Sequence, residues 1–370
     1  MKVLVTGAEG FIAKNLIVRL NELEGFEVKK YSRQTPEENL PGLVHEIDTV
    51  IHLAGVNRPQ SPTEFTSGNT NLTERLCQAL AETKRTIPVI FSSSTQAVVE
   101  NPYGKSKGDA EQVLWDYADK TGSTVYIYRL PNVFGKWCKP NYNSAVATFC
   151  HNIARGLPIK INDPSVSLAL VYIDDVVDEF LRVLNEKPAV AYEGICAVPV
   201  EYVATVGELV SAIERFHDSR DTLVTECVGA GLMRALYSTY VSYLPTESFG
   251  YSIPKYGDER GVFVEMLKTK DSGQFSFFTA HSGITRGGHY HHTKTEKFLV
   301  IKGSARFGFR HILTDETHEL YTSGERPQIV ETVPGWSHDI TNVGEDEMVV
   351  MLWANEIFDR ARPDTYSHPV

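Results

Sequence analysis

Cysteine is scarce in this chain of 370 residues: Cys77, Cys138, Cys150, Cys196 and Cys227 are five scattered copies with no C-x-x-C pair. An odd, dispersed set offers no disulfide framework and fits a reducing compartment. Long apolar runs are lacking as well, and no stretch reaches transmembrane length. Positive charge is in deficit, 36 Lys and Arg against 47 Asp and Glu, for a net charge of -11. That balance argues against nucleic acid or an anionic membrane as the main partner, while leaving room for a local basic pocket that takes a phosphate. No leader pattern opens the chain, which runs from Met1 straight into a strand, so a cytoplasmic protein is expected. What is present is an ordinary globular composition, 42% hydrophobic and 22% charged, at a length suited to two domains.

Lys2-Val3-Leu4-Val5-Thr6 reads as a short apolar strand, and Gly7-Ala8-Glu9-Gly10-Phe11-Ile12-Ala13 as the turn that leads into a helix. Gly7 and Gly10 permit a tight turn and close backbone approach to a pyrophosphate, and the helix start at Phe11 and Ile12 supplies N–H donors with a favourable dipole. Ala13 still allows close helix–strand packing. The next strand, near Phe26 to Tyr31, is followed by Ser32-Arg33 and not by a carboxylate that could hold a ribose 2′-hydroxyl. Arg33 can pair with a 2′-phosphate, so NADP(H) is the expected dinucleotide. Thr49 to Gly55 forms a buried strand ending in Leu53-Ala54-Gly55, across which a cofactor can lie. Val89-Ile90-Phe91 ends in Ser92-Ser93-Ser94, whose hydroxyls can meet a substrate carbonyl.

Asn101-Pro102 then opens a helix that puts Tyr103 and Lys107 on one face, one turn apart. A neighbouring ammonium favours the phenolate and lowers the pKa of the phenol, which suits proton transfer during carbonyl reduction. The spacing alone is weak, since Tyr251/Lys255 and Tyr290/Lys294 share it. The glycine turn and the serine run single out the first pair.

These residues, with Tyr128-Arg129-Leu130-Pro131-Asn132-Val133-Phe134-Gly135 and Tyr172-Ile173-Asp174-Asp175-Val176, resemble the extended short-chain dehydrogenase/reductase family that acts on sugar nucleotides. The resemblance implies Tyr103 as acid/base, Lys107 holding the nicotinamide ribose, Ser94 as the carbonyl partner and Asn132 on the nucleotide sugar. Ser94 stands nine residues before Tyr103, closer than the family habit, so Ser92 and Ser93 stay open as alternatives. Thr95-Gln96 replaces the acid pair of family dehydratases, which leaves ketoreduction or 4-epimerisation; the NADP preference leans to net reduction.

After Tyr243 helical periodicity stops, Leu244-Pro245-Thr246-Glu247 reads as a linker, and short alternating runs separated by Gly follow, as in a β-barrel or jelly roll. His289 and His291 share a strand face, Glu296 can return on the next strand, and His338 is a distant fourth donor. Three imidazoles and a carboxylate suit a divalent transition metal, with Zn²⁺ the expected ion. Gly283, His289, His291, Glu296 and Gly303 resemble the first motif of the cupin family, and Gly335, His338 and Asn342 its second in looser form. Asp258 to Glu265 resembles the entry strand of cupin-fold sugar-nucleotide 3,5-epimerases, which implies that Arg260 holds a pyrophosphate.

The expected fold is thus an α/β Rossmann-type doubly wound parallel sheet over residues 1–243, followed by an all-β cupin (jelly-roll) barrel over 244–370. The fusion resembles a family of bifunctional capsular-polysaccharide enzymes of bacterial UDP-N-acetyl-L-fucosamine synthesis. That likeness implies C3 epimerisation of a UDP-4-keto-6-deoxy-N-acetylhexosamine by the cupin, then NADPH-dependent reduction at C4 to UDP-2-acetamido-2,6-dideoxy-β-L-talose. Because cupin barrels commonly dimerise, the cupin resemblance implies a homodimer. Tyr290, His292, Lys294, Lys297 and His311 are all candidates for the epimerisation base. The competing reading is a reductase alone, with the cupin as a structural or dimerising module.

Overall fold

The computed structural model describes residues 1–61, 63–186, 188, 190–192, 194–254, 256–258, 261–263, 267–269, 273–356 and 361–370. Its contacts divide the chain into two compact units, Met1–Ser144 with Leu168–Val203, and Ala145–Ser167 with Ala204–Val370. By packing, therefore, helices Ala145–Ile153, Val206–Thr222 and Gly231–Val241 group with the C-terminal β-structure.

The first unit is built on β1 (Lys2–Thr6), β2 (Glu27–Tyr31), β3 (Thr49–His52), β4 (Val89–Ser94), β5 (Val125–Leu130), β6 (Asn132–Phe134), β7 (Ser167–Tyr172), β8 (Val190–Tyr192) and β9 (Ile195–Ala197). Seven of these form one sheet in the order β2-β1-β3-β4-β5-β9-β8. Every pairing in it is parallel except β8 with β9. β1, β3 and β4 carry apolar residues on both faces because helices cover both sides, the usual condition of a parallel sheet. Leu4, Val50, Val89 and Ile127 face a core closed by Leu76, Leu80, Ala110 and Leu114 of helices Asn71–Glu82 and Pro102–Thr121. On β5, Tyr128 packs against Phe180 of helix Ile173–Asn185 at 5.2 Å between ring centroids.

Helix Pro102–Thr121 has unambiguous ends. Asn101 caps it, its Oδ1 accepting from the Gly104 N–H at 2.7 Å, and Pro102 occupies the first turn. Gly122 ends it in the left-handed region, at φ +72°. A Cβ on Gly104 would lie 2.2 Å from the Gln96 carbonyl oxygen, so only glycine lets the first turn seat against the 95–98 turn. That seating carries Tyr103 to the end of β4.

The second unit holds two five-stranded antiparallel sheets. One runs in the order Gly250–Ser252, Gln328–Glu331, Glu296–Lys302, Met348–Ala354, Gln274–Ala280; the other Thr317–Ser323, Ser304–His311, Trp336–Asn342, Thr285–Tyr290, Tyr366–Ser367. Phe298, Phe307, Phe309, Ile340, Val350 and Trp353 are buried among them. This is the jelly-roll arrangement that the alternating runs predict.

Candidate active site and metal centre

In the first unit the glycine turn closes tightly, Gly10 N–H donating to Gly7 C=O at 2.7 Å. Gly7 is at φ +66°, and a Cβ there would meet the Ala54 backbone at 2.7 Å. The Ala8 N–H donates to the Tyr31 carbonyl, which ties the turn to the end of β2 and brings the exposed Arg33 close by in sequence. Helix Phe11–Glu22 begins with no side-chain cap and no acidic residue in its first turn. Uncapped N–H groups without a competing carboxylate fit an anionic pyrophosphate.

Leu53 and Ala54 donate their N–H groups to the Thr6 hydroxyl at 3.1 and 3.2 Å. Gly55 comes next to Asn69 and Lys107: a Cβ there would stand 2.9 Å from Asn69 Oδ1 and 3.4 Å from Lys107 Nζ. Asn69, which sequence reasoning passes over, is buried and joins the two segments. It accepts from Val56 N–H and donates to Val56 C=O and to the Ser106 hydroxyl. A lone Asn before a helix carries no signal of this; the contact is long-range.

Lys107 is buried, and its ammonium donates to the Ser92 carbonyl at 2.8 Å while lying 4.7 Å from the centre of the Phe91 ring. Burial pulls its pKa down to about 8, with Glu111 opposing. Tyr103 is half-buried against Phe65, ring centroids 5.7 Å apart. Burial raises its phenol above the ordinary value, and a hydrogen bond with Ser94 offsets part of the rise. This corrects the expectation that Lys107 lowers the phenol: here the ammonium is engaged with the end of β4. Among the serines, Ser93 donates to Glu111 and Ser92 to the His52 carbonyl, so Ser94 is the one that meets Tyr103. Asn132 lies exposed on β6, its amide donating to the Ala169 carbonyl at 3.0 Å.

In the second unit one donor atom from each of His289, His291, Glu296 and His338 falls within 4.8 Å of the others. His289 and His338 are cross-strand partners with ring centroids 4.8 Å apart. His291 Nδ1 bonds to the Asp364 carbonyl oxygen, which can only accept, so Nδ1 carries the hydrogen. His291 Nε2 then faces Glu296 Oε2 at 3.0 Å. A lone pair against a carboxylate requires a cation between them, either a proton or a metal ion. Both ring nitrogens of His338 are buried without a hydrogen-bond partner, and Nε2 is 3.6 Å from Glu296 Oε2. Burial opposes charge on Glu296, but His291, His338 and Lys294 outweigh it and hold the carboxyl well below its ordinary range. Burial, reinforced by His338 and His291, pushes His289 down to about 3, which keeps the ring neutral. A neutral His289 and an ionised Glu296, beside His291 and the unpartnered nitrogens of His338, fit a divalent metal.

Asp364 braces this loop. Its carboxylate accepts from the N–H groups of His292, Thr293 and Lys294 and from the Thr293 hydroxyl. It lies 68 residues beyond Glu296 with no motif of its own.

The candidate bases separate by strand parity. Lys297 points away from Glu296, to Glu331 and Tyr251. Tyr290 and His292 pack on Tyr366, centroids 5.7 and 5.0 Å away. His311 Nδ1 accepts from Leu313 and Thr314 N–H as a turn cap. Lys294 does reach the cluster, Nζ 3.1 Å from Glu296 Oε1. Arg260 lies outside the described residues.

Residues 3–195 match the NAD dependent epimerase/dehydratase family, and residues 256–366 match the polysaccharide biosynthesis C-terminal domain. The chain is 59% identical over 367 residues to the UDP-2-acetamido-2,6-beta-L-arabino-hexul-4-ose reductase of Pseudomonas aeruginosa, covering 99% of this chain and 98% of that one. Among solved structures, the capsular polysaccharide assembling protein CapF of Staphylococcus aureus is similar over 100% of both chains at 43% identity, with a TM-score of 0.70. A UDP-glucose 4-epimerase of Thermus thermophilus in complex with NAD shares the fold, at 22% identity over 59% of this chain and 83% of that one, with a TM-score of 0.52. The chain belongs to the NAD dependent epimerase/dehydratase family, and within it to the CapF-type proteins that also carry a polysaccharide biosynthesis C-terminal domain. No helix among the described residues is long and apolar enough to cross a membrane.

Proposed function

We propose that this chain is a two-step sugar-nucleotide enzyme of capsule or O-antigen synthesis in the cytoplasm. The barrel epimerises C3 of a UDP-4-keto-6-deoxy-N-acetylhexosamine. The dinucleotide domain, assigned to 1–243 with the metal domain at 244–370, then reduces C4 to give UDP-2-acetamido-2,6-dideoxy-β-L-talose. The observation that supports this reading is that Tyr103 and Lys107, one turn apart on helix Pro102–Thr121, both reach the serine end of β4, Tyr103 beside Ser94 and Lys107 on the Ser92 carbonyl. It occurs in a chain 59% identical to a protein named as a hexul-4-ose reductase.

Gly7, Gly10, Phe11, Ile12, Leu53, Ala54, Gly55 and Lys107 would hold the dinucleotide, and Arg33 the 2′-phosphate of NADPH. When bound, the reduced nicotinamide supplies a hydride to C4. Ser94 hydrogen-bonds the C4 oxygen, and Tyr103 delivers its proton there. A phenol whose pKa burial raises stays protonated, as a general acid for net reduction must. Asn132 and Arg260 are assigned to the nucleotide sugar and its pyrophosphate.

The C3 proton is acidic while C4 is a ketone, because the enolate is stabilised, so epimerisation precedes reduction. A divalent metal, Zn²⁺ by its donor set, held by His289, His291, Glu296 and His338, would supply positive charge toward that enolate. The Lys294 ammonium beside Glu296 adds a second cation. A homodimer is the proposed assembly, supported by Phe275 and Phe277, 47% and 70% exposed on the terminal strand Gln274–Ala280 of its sheet.

A second reading, a reductase with a structural barrel, draws support from Tyr290, His292, Lys297 and His311 all being engaged away from the cluster. The test is incubation with NADPH and the UDP-4-keto-6-deoxy sugar, with product stereochemistry read by NMR. Inversion at C3 with NADPH loss, and loss of inversion in His291→Ala, supports two catalytic steps. Reduction without inversion leaves the barrel as scaffold. No NADPH loss rejects the substrate assignment.

A further inference from the structure

Tyr103, Lys107 and Glu111 recur every four residues and form one stripe of helix Pro102–Thr121 against β4. Each meets a different serine residue. Tyr103 lies beside Ser94, Lys107 donates to the Ser92 carbonyl, and the Ser93 hydroxyl donates to Glu111. The first two contacts belong to the site above; the third has no part in the reduction as written. Glu111 is nevertheless only 4% exposed. Arg129 of β5 grips its carboxylate through Nε at 3.1 Å and Nη2 at 2.7 Å. Ser93 and Arg129 are paired in the β4–β5 ladder, so one helix and two strands converge on a single carboxylate.

Taking a carboxylate out of water is costly, and apolar side chains could join a helix to two strands without that cost. What a carboxylate adds is negative charge one turn from Lys107. The groups facing that ammonium are otherwise neutral or cationic. Ser92 offers a carbonyl, and Tyr103 is a protonated phenol. His52 on β3 is buried between the hydroxyls of Thr6 and Thr73, and burial lowers its pKa to about 3. Arg129 is a cation. Glu111 is the anion that reaches Lys107 among the described residues.

We propose that Glu111 is a positioning residue of the reductase site: it keeps Lys107 in its ammonium form and, through Ser93, fixes the register of the serine strand against the Tyr103 helix. The proposal rests on the reading of this site as a carbonyl reductase. Burial disfavours charge on Lys107, and a neutral lysine loses its grip on the strand carbonyl and on an anionic ligand.

The experiment follows the Lys107 ε-carbon by NMR in full-length protein labelled with ¹³C-lysine, the resonance being identified by its loss in Lys107→Met. Glu111→Gln preserves shape and removes the charge. Its Lys107 midpoint should fall by about one pH unit, and the alkaline limb of kcat/KM should move with it. Arg129→Met leaves the carboxylate to Lys107 and should move the midpoint upward; it also supplies the test if Glu111→Gln does not fold. An unmoved midpoint overturns the proposal, even where activity falls. A moved midpoint in a protein that does not oxidise NADPH upholds the charge role while rejecting the reductase reading.

Discussion

Lys297 and Glu331 face each other across neighbouring antiparallel strands, Nζ 2.6 Å from Oε1, and both are buried. Arg220 of helix Val206–Thr222 bonds the other carboxylate oxygen, and Tyr251 and Tyr237 complete the ring of partners. Two cations share one anion here, so the carboxylate is the member that cannot be spared. Burial opposes charge on Glu331, but Lys297 and Arg220 outweigh it and hold its carboxyl below the ordinary value of 4.5. A depressed carboxyl contributes stability that is complete above its unfolded pKa and disappears as pH falls through its folded one.

Glu331→Gln strands both cations and should lower the stability of the second unit by about 3–5 kcal/mol. Denaturant unfolding at pH 7, followed by tryptophan fluorescence, measures it. The gap from the unaltered protein should narrow as pH falls below 4.5, because protonation removes the same charge. A gap that is constant with pH would show that the loss is one of packing.

Tyr103→Phe removes the proposed proton donor and keeps the ring against Phe65. Reduction should fall by about 10²- to 10⁴-fold, with NADPH affinity unchanged. Stopped-flow NADPH oxidation and a binding titration on the same protein separate the two effects.

Arg33→Ala should weaken NADPH binding about ten- to hundredfold while leaving NADH binding unchanged, the scale of one lost charge-assisted hydrogen bond. Calorimetric titration with both dinucleotides checks it. Equal losses for both would mean that Arg33 does not meet the 2′-phosphate.

Asp364→Asn removes charge from a carboxylate that gathers three consecutive N–H groups beside the histidines. Metal affinity should drop about ten- to hundredfold, as for other outer-shell partners of metal ligands. Competition with a chromogenic chelator reads this directly. His291→Ala, which removes a proposed ligand, should bind less metal still.

Local pattern carried much of this molecule. Gly7-x-x-Gly10, the serine run and Tyr103/Lys107 lie on contiguous strand–turn–helix segments, so spacing read together with the flanking strand and turn signals locates them. The His289–His291–Glu296 group is legible for the same reason, since two strands joined by a short loop fix its parity. Asn69, Glu111 and Asp364 were not legible, because each acts through a partner dozens of residues away or through burial. The direction of the Tyr103 shift was hidden for a related reason: sequence shows that an ammonium is one turn away, but not that it bonds to the Ser92 carbonyl. The grouping of helices Val206–Thr222 and Gly231–Val241 with the barrel was hidden likewise, because contacts such as Arg220 with Glu331 and Tyr237 with Glu331 span 111 and 94 residues.

The Asp364 clasp gives the order of synthesis a meaning. His289, His291, Glu296 and His338 have all been translated before residue 364 is added, yet the loop that carries His291 and joins the strands of His289 and Glu296 is secured by that residue. A chain stopped short of it by a nonsense codon or a stalled ribosome would have a complete dinucleotide fold and all four candidate metal donors, but no brace to hold them.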